Sequence, residues 1–246
     1  MKLKLVLATS LLAASGFSLA EAYQAEVTGI ASRSDLDGIS SKVNTYGVEG
    51  KYYFNLVKTD NLPLAEAAYL GKSSNVFASF AKNYAHGYNN DNQNYSGGVE
   101  VYIPENFVYI KVEGVHVRND SFSDTSLNTT LGLTPLDGLR VSTTWNSDEG
   151  YHANVDLKYV TALGNGQFIN VEAGVADTDH GTKTTIGGDY YFDNTFSVGA
   201  EVSDDKYSTD YLIRTRKFFT ESFSGELDYV DTDYGNVVAL GVAYRF

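Results

Sequence analysis

The sequence predicts an all-β protein, a closed antiparallel transmembrane β-barrel of about 14 strands. Hydrophobicity alternates with a period of two residues along most of the chain, which is the periodicity of a strand. The composition agrees, because 19 Tyr and 23 Gly stand beside only 3 Pro and 1 Met. Charged residues make up 20% and hydrophobic residues 43% of the 246 residues, a balance that excludes an intrinsically disordered chain.

The first 22 residues differ from the rest and have the features of a secretory signal peptide. Lys2 and Lys4 give a positive start, residues 5–19 carry no charge, and Ala20 and Ala22 place small residues where signal peptidase reads. The apolar run has about 15 residues and is shorter than the roughly 20 that a spanning helix needs. We therefore expect residues 1–22 to be removed on export and residues 23–246 to form one barrel domain.

The alternating runs predict the strands. In residues 151–159 every odd position is apolar or aromatic and every even position is polar. Residues 23–31 and 127–133 alternate more weakly, and residues 76–86 are the most ambiguous. Each run approaches the 9–11 residues of a membrane strand. In chain order the predicted strands are 23–31, 46–54, 76–86, 95–103, 108–114, 127–133, 139–145, 151–159, 168–175, 184–192, 196–202, 207–216, 223–229 and 238–246.

A soluble β-sandwich would show the same alternation, and three features favour the membrane barrel. The strands are evenly spaced. The polar face is charged along its length, and the apolar face has aromatic residues at the strand ends, as the two membrane interfaces select. One predicted rim collects Phe54, Phe192, Phe196, Phe223, Tyr244 and Phe246, and the other collects Trp145, Tyr151, Tyr207 and Tyr229.

The end of the chain indicates location and partners. An even strand number lets the first and last strands pair and places both termini on the periplasmic side of an exported chain. Phe246 is the last residue, and the alternation of its strand makes it face the lipid. A terminal aromatic of this kind resembles the signal that bacterial barrel-assembly machinery recognises. We expect a cell outer membrane location in a Gram-negative bacterium, with outer-membrane lipid and that machinery as partners.

Residues 55–74, between the second and third predicted strands, break the pattern of short periplasmic turns. Long ordered loops are usually functional or disordered, and the Ala-rich middle of this one favours one or two helical turns. One hypothesis is that it folds into the lumen and narrows the periplasmic outlet. The alternative is a floppy or surface-packed turn. The candidate gate residues are Pro63, Leu64, Glu66, Tyr69 and Leu70.

The chain also resembles a known family. The sequences YQAEV at residues 23–27, PLAEAAYL at residues 63–70 and SFSD at residues 121–124 are similar to those of the outer-membrane porin family that includes the Acinetobacter 33–36-kilodalton porin. Of these, PLAEAAYL is the specific motif, and the similarity extends weakly over the mature chain. The resemblance implies a monomeric fourteen-stranded channel for water and small solutes.

The polar residues, which alternate with the apolar ones along each strand, predict the lining of a pore. A Lys or Arg that faces lipid at mid-membrane costs roughly 2–4 kcal/mol, so the charged parity belongs inside. Carboxylates outnumber cations on this parity, which should raise the local cation concentration and give a weak cation preference. The alternative is a wall of paired charges without net selectivity. The predicted lining is Glu49, Lys51, Lys111, Glu113, Arg140, Asp156, Lys158, Glu172, Asp189, Glu201, Arg214, Arg216, Glu226, Asp228 and Arg245.

The sequence therefore favours a passive outer-membrane porin for water, ions and small hydrophilic solutes. Two alternatives stay open: a substrate-preferring channel, and a closed structural or adhesive barrel. We predict no enzyme, because none of the four His lies in a recognisable nucleophile motif. We also expect no cofactor and no metal site; zero Cys excludes thiolate ligands. A net charge of −13 makes nucleic acid an unsuitable partner.

Overall fold

The computed structural model describes residues 22–37, 42–85, 91–178 and 181–246. Except for Ala22, the predicted signal peptide lies outside these ranges, as does His86 at the end of a predicted strand. The chain forms a closed antiparallel barrel in which every strand pairs with its sequence neighbours and the last strand pairs with the first. The predicted fold class is confirmed.

The barrel has strands β1 to β14 and short helical turns in two of its connections. A 3₁₀ turn at Leu64–Glu66 leads into α1, Ala67–Leu70, and a second 3₁₀ turn is Pro104–Asn106. No helix among the described residues has the length and apolarity needed to cross a bilayer. The strands β1 to β14 are Ala22–Leu36, Val43–Lys58, Asn75–Ala85, Asn92–Ile103, Val108–Arg118, Ser123–Leu136, Leu139–Asn146, Asn154–Gly164, Gln167–Thr178, Gly181–Tyr191, Phe196–Asp204, Thr209–Phe218, Phe223–Thr232 and Gly235–Arg245.

The alternation in the sequence sorts side chains between the two faces of the wall. Along β2, Tyr46, Val48 and Tyr52 are 48–51% exposed on the outer face, whereas Tyr53 and Val57 are 4% and 1% exposed on the inner face. An outward apolar surface would be costly in water, but it is what a lipid environment requires. Closure of the sheet leaves no strand edge unpaired, as the hydrocarbon region demands.

The strands extend further at the outer end than the alternation predicts. β1 continues to Leu36, β4 begins at Asn92 and β6 begins at Ser123, whereas the corresponding predicted strands end at residue 31 and begin at residues 95 and 127. Above the bilayer both faces of a strand are polar, and the alternation disappears while backbone pairing continues. Hydrophobic pattern therefore marks the membrane band rather than the ends of the strands.

The start of β8 is also different from the prediction, because residues 151–153 lie outside any strand. The side chain of Asn154 occupies this position in the sheet. Its Oδ1 accepts from the backbone N–H of Thr144 at 2.7 Å, and its Nδ2 donates to the carbonyls of Thr144 and His152 at 2.7 Å each. An Asn side chain can satisfy backbone groups in this way and so replace a step of the β-ladder.

At the end that carries both chain termini, most turns are tight. Asn165 and Gly166 adopt left-handed backbone conformations, with φ of 53° and 78°, between β8 and β9. This matches the turn that the Asn-Gly pair predicts. The connection after β2 is longer, although shorter than predicted, because β2 continues to Lys58 and the connection is residues 59–74.

Candidate functional site

The charged side chains of the alternating strands lie on the inner wall. A cavity of about 450 Å³ lies inside the barrel at the end with the termini, lined from β1–β4, β7, β8 and β12–β14. Lys51, Arg140 and Asp228 are among its lining residues. A second space of about 320 Å³ lies beside Arg140 and Asp156. The predicted lining residues Glu49, Lys158, Glu172, Arg216, Glu226 and Arg245 also border one of these two spaces.

The cations of the predicted lining are all held in ion pairs with inner-wall carboxylates. Most pairs join neighbouring strands or near neighbours on one strand, as a mixed-charge wall favours. The sequence assigned these side chains to one face but did not show which partners meet, because that depends on strand register. The pairs are Lys51–Glu49 at 2.8 Å, Lys111–Glu113 at 3.0 Å, Arg140–Glu100 at 3.4 Å, Lys158–Glu172 at 2.9 Å, Arg214–Asp189 at 2.7 Å, Arg216–Glu226, and Arg245–Glu26 at 2.5 Å.

Arg214 and Asp189 form the most complete of these contacts. Nε and Nη2 of Arg214 donate to the two carboxylate oxygens of Asp189 at 2.7 Å each, a bidentate geometry. Asn170 donates to Asp189 at 3.0 Å and to Glu172 at 2.8 Å. Gly199 faces this pair, and a Cβ at that position would overlap Asp189 and Arg214. A glycine therefore makes room for the ion pair.

Two carboxylates of the predicted lining differ from the rest. Within the described part of the chain, Asp156 and Asp228 form no ion pair and no side-chain hydrogen bond. Glu201 lies at the limit of pairing, 3.9 Å from the nearest Arg214 nitrogen. Because each lining cation already has a carboxylate partner, the uncompensated charge on the inner wall is negative.

Residues 59–74 fold onto the inner wall at the end with the termini. The backbone N–H of Leu64 donates to the carbonyl of Asn194 at 2.8 Å, and Arg245 Nη1 donates to the carbonyl of Leu64 at 2.9 Å. Leu64 and Ala67 are 2% and 0% exposed. The segment is therefore fixed to the β10–β11 turn and to the last strand.

Glu66 and Tyr69 fix the segment to other parts of the wall. Glu66 is 6% exposed, and its carboxylate lies 3.0 Å from Lys158 Nζ and accepts from the Tyr191 hydroxyl at 2.8 Å. The Tyr69 hydroxyl lies 2.9 Å from the Lys158 carbonyl and 3.0 Å from the Gly138 carbonyl. Burial raises the pKa of Tyr69 well above its usual value, so the hydroxyl stays a neutral donor.

The other candidate gate residues pack rather than bond through side chains. Pro63 is less than 2% exposed, and Leu70 lies beside Gly138 in the β6–β7 turn. The structure thus brings all five candidates together inside the barrel, at the end with the termini. It joins them to strands that are far apart in the sequence.

Sequence reasoning missed the aromatic residues of the inner wall. Tyr23, Tyr102, Tyr109 and Tyr191 are 3–7% exposed. The Arg140 guanidinium lies 4.4 Å from the centroid of the Tyr109 ring, a cation–π contact. For Tyr102, Tyr109 and Tyr191 the alternation contained the signal, since these residues alternate with apolar, outward-facing ones. Tyr23 has the alternation of the outward-facing residues and turns inward at a bulge in β1, which no local pattern predicts. The predicted lining contains only charged residues of that face.

Comparison with known proteins identifies the family. A family described as “putative general bacterial porin” matches residues 1–121 and 83–246. The chain belongs to this porin family. The porin is an outer-membrane channel protein, and its β-barrel and charged inner wall agree with this class. No curated protein matches the chain.

Among solved structures, the porin is similar to the outer membrane protein Omp33 of Acinetobacter baumannii. The two are 24% identical with a TM-score of 0.76, over 92% of this chain and 99% of that chain, which shows a shared fold. It also matches the KdgM porin in complex with disordered oligogalacturonate, at 10% identity and a TM-score of 0.48 over 90% and 99% of the two chains. A mutant porin of Rh. blastica matches at 12% identity and a TM-score of 0.46 over 92% and 99%.

Proposed function

We propose that this porin is a passive diffusion channel for water, ions and small hydrophilic solutes, with a weak preference for cations. The support for passive transport is a polar, charged inner wall with water-sized space at several depths. Such a wall keeps water in the lumen and binds no solute strongly.

The distribution of pairing on the inner wall carries the proposed selectivity. A paired cation and carboxylate nearly cancel at a distance, so they add little to the potential felt by a passing ion. Asp156 and Asp228 have no such partner among the described residues. Fixed negative charge beside a narrow water path concentrates cations there.

The reversal potential of the purified protein in a planar bilayer with a KCl gradient tests this proposal. We expect open steps with mild cation selectivity, and a double variant Asp156→Asn with Asp228→Asn that is close to unselective. Asp231→Asn is the matched control, since Asp231 follows the lipid-facing parity of β13 and its removal should leave selectivity unchanged. Equal selectivity in the wild type and the double variant would refute the assignment. Folded protein without conductance would indicate a closed barrel instead.

We further infer that residues 59–74 restrict the outlet and that residues 1–22 are removed on export. We also infer that the mature porin is a monomer and that assembly machinery receives it through its last strand. The contacts of Glu66 and Tyr69 with the wall support the first of these. The charge pattern of residues 1–22 supports the second. The exposed Phe246 at the end of the barrel wall supports the last.

A further inference from the structure

At the outer end of the lipid-facing surface, Arg and Lys predominate on β1–β5, where Asp35 is paired with Lys42, and Asp predominates on β9–β13. On β1, β3 and β5 the outward positions near the outer end are Arg33, Lys82 and Arg118. On β9, β11 and β13 the corresponding outward positions are Asp177, Asp204 and Asp231. A barrel whose outer surface only had to meet uncharged lipid would not need this separation of charge.

Strand register places the basic residues in one row across neighbouring strands. Tyr46 pairs with Lys82, Lys82 with Gln93, and Gln93 with Arg118, so they form one row across β2 to β5. Arg33 lies on β1 one outward position above the same row, because Ala31 pairs with Tyr46. With strands about 4.8 Å apart, the three cations cover about 20 Å of the wall.

On β2 and β3 that row lies at the outer membrane interface. The outward apolar residues of β2 run from Tyr46 to Leu56, and a tilted strand of this length covers an apolar band of about 25 Å. Tyr46 and Tyr84 pack edge to face with centroids 6.1 Å apart, and Lys82 Nζ lies 4.5 Å from the Tyr84 ring centroid. Aromatic residues of this kind occupy the headgroup level.

The cations are available to a ligand. Arg33 and Arg118 are exposed, and neither forms an ion pair within the described ranges. Lys82 is paired with Asp91 at 3.0 Å, but the Asp91 side chain is 37% exposed and such pairs contribute little. A phosphate group can therefore replace that carboxylate at small cost.

The outer surface below the cations has room for a lipid acyl chain. Gly50, Ala78, Gly97 and Gly114 are paired in one row across β2 to β5, on the same outward face. A Cβ at Gly50 would meet nothing within 4 Å. The row therefore forms a shallow furrow in the lipid-facing surface, two outward positions below Lys82.

We propose that the outer face of β1–β5 binds a phosphorylated glycolipid of the outer leaflet. Arg33, Lys82 and Arg118 hold its phosphates, the aromatic residues contact its sugar, and an acyl chain lies in the furrow. Two or more cations spaced along the wall fit a headgroup with more than one phosphate better than a lipid with a single charge. This binding site is independent of the lumen and of solute passage.

Native mass spectrometry of the protein in neutral detergent tests the proposal, with diphosphoryl lipid A, monophosphoryl lipid A and inorganic phosphate as probes. We expect diphosphoryl lipid A to bind most tightly. Each cation near an anionic headgroup contributes about a fivefold effect, so Arg33→Gln, Lys82→Gln and Arg118→Gln together should weaken binding by about 100-fold. Lys206→Gln is the matched control, because Lys206 lies in the turn between β11 and β12, away from β1–β5.

Several results would overturn the proposal. These are unchanged binding in the triple variant, an equal loss in Lys206→Gln, and displacement of lipid A by inorganic phosphate at equal concentration. The last would indicate an anion site without a lipid. Fold is checked by the heat-dependent shift in gel mobility. If the triple variant does not fold, Arg118→Gln alone should weaken binding about fivefold, and no loss in that variant would reject the site.

Discussion

At the scale of single residues, the inner wall depends on small side chains as much as on charged ones. The bidentate Arg214–Asp189 pair occupies space that any residue larger than glycine at position 199 would need. The same logic applies at Gly174, where a Cβ would lie 2.8 Å from Asp156 Oδ1. Glycines on the inner parity thus decide where charged side chains can lie.

Gly199→Ala should lower the free energy of unfolding by about 1–3 kcal/mol, because the added methyl group overlaps a fixed ion pair. Urea titration of the refolded barrel in detergent measures this change. Gly241→Ala is a matched control on the same inner face, since its Cβ would only reach contact at 3.5 Å with the Glu226 side chain. Equal losses in the two variants would show that the Arg214–Asp189 pair is not the cause.

The sequence could predict which face each charged residue takes, but not its partner. Parity alone places Lys158 and Glu172 inside, and their contact depends on the register of β8 against β9. The contact of Lys158 with Glu66 depends on how residues 59–74 fold back, which no local pattern encodes. Long-range geometry therefore separates the predictable part of the site from the rest.

At the scale of elements, residues 59–74 are the one long connection within the described ranges at the end of the barrel that carries the termini. Short helical turns of this size have little stability of their own in water. Their conformation here comes from the wall, through Glu66, Tyr69 and the backbone of Leu64. Weakening these contacts should therefore release the segment without unfolding the barrel.

Deletion of residues 64–70 should raise single-channel conductance, because the segment fills space inside the wall. Glu66→Gln should act in the same direction but less, since it removes the ion pair with Lys158 and keeps an acceptor for Tyr191. Planar-bilayer recordings measure both. Glu105→Gln, in the short 3₁₀ turn Pro104–Asn106, is the control and should leave conductance unchanged. Unchanged conductance in the deletion variant would reject a restricting role.

The existence of the strands was predictable, and their ends were not. The apolar alternation exists only where lipid meets the wall, so it defined the middle of β1, β4 and β6 and missed their polar outer ends. At β8 the predicted strand was too long. Residues 151–153 alternate in hydrophobicity, but the side chain of Asn154 bonds to the neighbouring backbone in their place. Local pattern cannot show that a side chain will replace the backbone.

At the scale of the whole molecule, closure of the barrel is made by β1 and β14. The backbone of Phe246 accepts from Gln24 at 2.7 Å and donates to the carbonyl of Ala25 at 2.9 Å, and Arg245 pairs with Glu26. The last residue is therefore part of the seam. Every strand depends on that seam, because an open edge cannot exist in the hydrocarbon region.

Removal of Phe246 should reduce the amount of folded protein in the outer membrane severalfold, since it deletes three seam hydrogen bonds and the terminal aromatic. Quantitative gels of outer-membrane fractions, with and without heating, measure the folded amount. Phe219→Leu is the control, as it alters an exposed aromatic near the same rim away from the seam. A normal yield after removal of Phe246 would contradict a role in assembly.

The anchors of residues 59–74 also determine the order in which the molecule is built. Lys158 and Tyr191 lie on β8 and β10, and Arg245, which binds the carbonyl of Leu64, lies at the end of the last strand. The segment follows β2 directly, yet its binding partners come from strands that lie far along the chain. These partners surround the segment only when the sheet has formed. The narrow interior of this porin is consequently a late product, formed only when the wall around it has closed.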